Sequence, residues 1–228
     1  MAFLLLFACN PKTSAGYKSF VLLARHIFNG DIKSFSTGEI RMEAVDMGLS
    51  VKWSNVNLGA TRPEDYGDYF AWGETKPKAD YRWETYKWST GDYNNLTKYY
   101  SFFEPSDDAA HVILGGKWRL PTIEEWDELL DESNCTWTWT TRKGVNGCIV
   151  TSKKTGNSIF LPAVGYRDGT DLNNAGSRGN YWSSSLYMAP PRSAWSVFFY
   201  SVGRGGFCRF GRGGYYRFRG FSIRPVSE

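Results

Sequence analysis

The sequence predicts a soluble, sheet- and loop-rich domain carrying one well-marked helix. Three observations carry this. Aromatics make up 17% of the 228 residues and glycines number 24, a mixture that favours strands and long loops over helices. The segment 117–130 has helical punctuation at its start. Around it, short apolar runs alternate with turn residues, as strands do. No apolar run approaches the roughly 20 residues of a membrane helix.

In chain order, residues 1–44 read as an N-terminal arm. Leu6-Phe7-Ala8-Cys9 resembles a bacterial lipobox, in which the Cys is lipidated after cleavage, although no basic residue precedes the run. A folded domain is expected over 45–228. Residues 45–53 alternate well enough for a strand, and 68–73 read as a second one. Residues 74–106 are dense in Trp, Tyr, Asp and Asn without periodicity; aromatics so dense can bury area, so packed loops are expected rather than disorder.

The helix is expected over 123–131. Thr122 and Glu125 form a capping box, each side chain satisfying an orphan backbone donor of the first turn. Glu124 and Glu125 suit the positive end of the helix dipole. Ile123, Trp126, Leu129 and Leu130 share one apolar face. Strands are expected at 136–140, 148–152, 158–162, 180–184, 194–201 and 221–226, with 167–180 a Gly/Asn/Asp-rich loop. Turns near Gly144 and Gly156 make the first three a meander.

Charge is unevenly spread. The net charge is +4, but from Thr155 onward nine Arg and no Lys face three acids. Arg offers a planar fork that stacks on rings, which suits an interface. Most of these Arg lie in 203–220, a stretch almost wholly Gly, Arg and aromatic. It has three readings. It can be an adaptable contact face, with large rigid rings and permissive Gly. It can be an RGG-type segment binding RNA or another polyanion, through Arg204-Gly205-Gly206 and Arg212-Gly213-Gly214. It can be an aromatic core strand with Arg snorkelling outward. The flanking strand patterns favour the first.

The four Cys are Cys9, Cys135, Cys148 and Cys208. No CxxC occurs, which argues against zinc. Cys135 and Cys148 are either a hairpin disulfide or two buried thiols, and Cys208 stands apart, exposed. Asp65, Asp68, Asp168 and Asp171 could ligate calcium, but no sugar-binding EPN or WND phrase accompanies them. His26 and His111 have no evident partners, and the acids of 124–128 read as a helix start. No metal, cofactor or catalytic residue is expected.

Several phrases occur in order with sensible spacing: VDMGLSVKWSNVNLGA, EDYGDYFAWGET, KWRLPTIEEWDELL, SIFLPAVGYRDG, GNYWSSS and GFSIRPV. Together, over about 45–226, they resemble a bacterial C-type-lectin-fold domain, most closely the variable proteins of diversity-generating retroelements and their non-diversifying paralogues. The resemblance implies a compact α+β domain of small antiparallel sheets, one or two helices and long packed loops. It implies that the N- and C-terminal strands pair, and that the C-terminal segment forms a hypervariable ligand face. In such proteins adenine-directed mutagenesis rewrites Asn codons, which never yields Lys, Glu, Gln, Met or Trp. Residues 203–220 contain none of these; Met188 departs from the rule. The fold is shared with formylglycine-generating enzymes, whose RLPT-x-x-E-W helix start is matched at 119–126. Those enzymes need a paired Cys site, and Cys208 has no neighbour in sequence, so an inactive relative is the most that reading allows.

The expected function is therefore non-catalytic binding of a protein or glycan ligand, with an RNA- or polyanion-binding role as the alternative. The scaffold is expected in Trp118, Arg119, Leu120, Trp126, Tyr181, Trp182 and Arg224. The contact residues are expected to be Tyr187, Arg192, Ser196, Phe198, Tyr200, Arg204, Phe207, Arg209, Phe210, Arg212, Tyr215, Tyr216 and Phe218. The expected location is the cell surface or outside the cell, with a phage-associated or cytoplasmic protein as the alternatives.

Overall fold

The computed structural model describes residues 42–91, 103–187, 192–202 and 207–228. All of them lie in the unit Ile40–Glu228. The expected arm falls almost wholly outside the described residues, and with it Cys9 and His26. Among the described residues no helix is long and apolar enough to cross a membrane.

Among the described residues the regular structure is α+β: two α-helices and sheets whose named strands all pair antiparallel. The strands are β1 (Ala44–Val45), β2 (Lys52–Ser54), β3 (Trp118–Arg119), β4 (Cys135–Arg142), β5 (Val145–Ser152), β6 (Ser158–Pro162), β7 (Tyr166–Asp168), β8 (Asp171–Asn173), β9 (Arg178–Leu186), β10 (Ser193–Val202), β11 (Phe207–Tyr216) and β12 (Val226–Ser227). The helices are α1 (Ala109–Leu114) and α2 (Ile123–Leu130). A four-stranded sheet has the order β1-β2-β12-β3, and a six-stranded sheet the order β6-β5-β4-β11-β10-β9. Strand β12 lies between β2 and β3, so the domain's last strand pairs with one of its first.

Helix α2 starts where its capping box predicts. Thr122 Oγ1 accepts from Glu125 N at 3.2 Å, and Glu125 Oε2 accepts from Thr122 N at 2.8 Å. Its apolar face is buried through Ile123, Trp126, Leu129 and Leu130. Helix α1 was not anticipated. Its six residues are too short for a periodic signal, and it starts because Asp108 accepts from His111 N at 3.0 Å.

Three expected strands are corrected. Residues 45–53 do not run straight: Gly48 takes φ 69° and Asp46 Oδ1 accepts its N–H, so the segment folds back and β1 pairs with β2. Residues 68–73 make only one bridge, Phe70 to Phe221, between glycines of positive φ at 67 and 73. Residues 221–226 touch two partners by single bridges and join a sheet only at Val226, directly after Pro225, which lacks a donor. Within the expected loop 167–180, β7 and β8 form a short hairpin and β9 begins at Arg178.

Two apolar clusters hold the unit together. One gathers Trp53, Trp126, Leu129, Val150, Leu161, Tyr181, Val197 and Phe199. The other gathers Phe70, Trp72, Leu120, Trp182, Ala194, Phe221 and Ile223. The buried indoles that join them are satisfied: Trp126 Nε1 donates to Trp182 O at 3.2 Å, and Trp182 Nε1 donates to Phe70 O at 2.8 Å. Trp182 also stacks on Phe221 at 4.2 Å. Arg224 is fully buried and donates to Ser54 O at 3.0 Å and Phe160 O at 2.7 Å, tying β2 to β6. Burial pulls its guanidinium down to about 10.

The disulfide joins Cys148 to Cys208, and Cys135 is a buried free thiol. A Cys135–Cys148 bridge is ruled out by register. Cys135 faces Ser152 and Cys148 faces Trp139, four pairs along the same hairpin, or roughly 13 Å at strand rise. Burial pushes the Cys135 thiol up, away from the reactive thiolate.

Candidate functional site: the two faces of the β10–β11 ribbon

The Arg/Gly/aromatic stretch is mostly strand. β11 pairs with β10 over ten consecutive residues, from Ser193↔Tyr216 to Val202↔Phe207. Arg212-Gly213-Gly214 is therefore part of a sheet rather than a disordered RGG tail; Arg204 lies outside the described residues. Opposed residues share a sheet face, and successive ones alternate. The register thus sorts the expected contact residues.

One face carries Phe198, Tyr200 and Val202 from β10, opposite Gly211, Arg209 and Phe207 of β11. β9 adds Arg178, opposite Tyr200, and β4 adds Thr138, opposite Phe207. Phe207 is 73% exposed and Val202 41%; Arg209 and Thr138 are exposed too. The rings are held in place. The Arg178 guanidinium carbon lies 4.4 Å from the Phe198 ring centroid, and its Nη2 donates to Tyr215 Oη at 2.6 Å. Phe198 and Tyr200 lie near-parallel, 6.4 Å apart. Gly211 keeps this surface flat: a Cβ there would meet the Phe198 ring at 3.0 Å. Arg178, Val202 and Thr138 were not singled out from the sequence, because only strand register brings them here.

The same face is covered at its other end. Ala194, opposite Tyr215, joins the cluster around Phe221, and Tyr215 packs on Phe221 at 5.4 Å. Ser196, expected as a contact residue, sits between Trp182 and Gly213 with no exposure. It is corrected to the interior. So is Phe218, 7% exposed, which packs edge-on to Trp83 at 6.1 Å and stacks on Tyr216 at 5.5 Å.

The opposite face belongs to the core. Phe210 packs on Trp137 at 5.3 Å, and Cys208 forms its disulfide there. Arg212 is exposed but lies 5.3 Å over Trp195 and hydrogen-bonds Asp127 on α2. Burial raises the Asp127 carboxyl more than the Arg212 charge lowers it. Phe210 and Arg212 therefore do not share a surface with Phe207 and Arg209.

Tyr187, Arg192 and Tyr216 gather elsewhere again. With Ser193, Gly214, Tyr215 and Arg219 they line a cleft of about 410 Å³ at the far end of the ribbon.

The expected scaffold residues are buried or half-buried around these faces. Arg119 forks onto Glu125 at 2.9 and 2.5 Å, bracing the start of α2. Tyr181 donates to Pro162 O at 2.8 Å, and burial lifts its phenol to about 12. Asp65 is held by Arg62 and Thr61, and Asp168 by Arg219. Among the described residues no three His, Cys, Asp or Glu converge on a point that could hold a metal ion.

No family model, no curated protein and no solved structure matches this chain.

Proposed function

We propose that the unit Ile40–Glu228 is a non-catalytic binding module of the C-type lectin fold, of the kind that displays a variable surface in diversity-generating retroelements. Its ligand is a protein or a glycan met at the open end of the β9-β10-β11 face. One observation carries the reading: Phe207 and Arg209 stand exposed on a strand in continuous register with β10, beside Phe198 and Tyr200. Large rings held outward on a rigid strand cost little entropy on contact, and rings and Arg dominate such contacts. Two further observations support it. The last strand, β12, pairs with β2 near the start of the unit, in keeping with the family resemblance. Residues 221–226 are buried without a break, as an invariant segment behind a variable one should be.

The test is a triple variant, Tyr200→Ser, Phe207→Ser and Arg209→Ser, compared with the parent protein on glycan and protein arrays. The variant should keep the parent's melting temperature within about 2 °C and lose its ligands. Unchanged array binding overturns the reading. Sequencing codons 192–226 across a population tests the diversification separately: changes confined to adenines before codon 221 support it, and random changes count against it.

A further inference from the structure

The cleft at the far end of the ribbon has a chemistry of its own. It combines two guanidinium groups with three phenol rings, and its volume of about 410 Å³ falls in the range of small-molecule sites. The carbons of Arg192 and Arg219 lie 5.5 and 5.6 Å from the Tyr216 ring centroid, so both cations border one aromatic wall. Arg219 Nη2 pairs with Asp168 at 3.0 Å, whose side chain remains 40% exposed. Among the described residues that line the cleft two are Arg and none is acidic.

The walls are braced before any ligand arrives. Tyr187 sits edge-on to Trp195 at 4.7 Å. Tyr215 is fixed by Arg178 and by Phe221. Tyr216 lies on Phe218. Gly214 forms part of the lining, and a Cβ there would strike the Tyr187 ring at 2.6 Å. Any other residue at 214 would displace Tyr187 and close the space. Braced walls lower the entropy lost on binding.

The geometry points to a site for an acidic sugar residue, its carboxylate on Arg192 and Arg219 and its ring against the tyrosines. Arg binds carboxylate through paired, charge-assisted hydrogen bonds. A pyranose has an apolar C–H face and a rim of hydroxyls, which matches a phenol's apolar ring and polar tip. A peptide carboxylate would use the guanidinium groups but leave the ring walls unfilled. This inference rests on the binding-module reading and names a ligand class for a second place on that module.

The experiment titrates the whole ¹⁵N-labelled protein with methyl glucuronide, methyl glucoside and N-acetylaspartate, following amide and Arg Nε–H signals. Methyl glucuronide should shift Gly214 and the side chains of Arg192 and Arg219. It should bind roughly tenfold more tightly than the glucoside, about the effect of one charge-assisted hydrogen bond. Arg192→Gln should abolish that preference, and Tyr187→Leu should weaken both sugars alike while keeping it. The Tyr187 variant keeps the test decisive if the Arg192 variant fails to fold. Equal affinity for glucoside, or tighter binding of N-acetylaspartate, overturns the acidic-sugar assignment. No shift with any probe overturns the cleft as a site; if the triple variant of the flat face still loses its array ligands, the binding-module reading stands without it.

Discussion

At one end of the β10–β11 ribbon Ala194 faces Tyr215, and both belong to the apolar cluster around Phe221. At the other end Val202 faces Phe207, and both meet solvent. The two pairs lie on the same sheet face. Alternation along a strand decides which face a side chain joins, but coverage by other elements decides whether that face is interior. Here the segment 221–223 covers one end and leaves the other open. Phe198 marks the boundary, half-exposed between Ser196, which is buried, and Tyr200, which is not.

Emptying the core face behind both ends should cost most. Phe199 is fully buried on the reverse of the ribbon, stacked on Tyr181 at 5.9 Å and tilted against Trp137 at 5.7 Å. Phe199→Ala should lose about 3–5 kcal/mol in urea unfolding, the usual cost of a large ring lost from a core. Binding would be lost along with the fold, which would blur the two ends into one.

The Cys148–Cys208 bond comes next. It closes a loop of sequence separation 60, and disulfides typically contribute about 2–4 kcal/mol. Cys208→Ser should lower stability by that amount. Reductant should produce the same loss in the parent protein and leave the variant unchanged. An equal response of both proteins would place the stabilisation elsewhere.

A smaller, pH-dependent effect should appear far from either end. Glu64 is buried and receives Lys143 Nζ at 2.8 Å, with Arg142 at 3.9 Å. The Lys143 ammonium paired with it, with the Arg142 charge beside them, holds its carboxyl below the usual range despite burial. A lowered carboxyl stabilises the fold above its unfolded value of about 4.3 and loses that contribution as the pH falls through the folded value. The stability gap between the parent and Glu64→Gln should thus be widest near neutrality and shrink in acid. A gap that widens in acid would reverse the sign argued here.

The open end should matter least to stability. Phe207→Ser and Arg209→Ser should each change unfolding free energy by no more than about 0.5 kcal/mol, as exposed substitutions do. A larger loss at Phe207 would mean that this end is also covered, and the contrast between the two ends would fail.

Much of the frame was legible because its signals are local. Thr122 and Glu125 cap α2 through their own side chains, and the strands at 136–140, 148–152 and 158–162 lie inside β4, β5 and β6. What escaped depends on register. β11 carries glycines at 211, 213 and 214, which break the apolar alternation by which a strand announces itself. Without its pairing, Ser196 could not be told from an exposed neighbour, nor Arg178 from a loop residue. The disulfide escaped for the same reason: Cys148 and Cys208 come from β5 and β11, which are not adjacent in the sheet.

That last arrangement has a consequence for how the protein is made. β11 meets β4 at a single residue pair, Phe207 with Thr138, and the sulfur bond spans past β4 to β5. One edge of the ribbon is thus secured by a covalent staple rather than by a ladder of hydrogen bonds. Such bonds persist in oxidising surroundings and are kept open in a reducing cytosol. That edge would thus be complete only where the surroundings are oxidising. Any other residue at position 208 would release that edge.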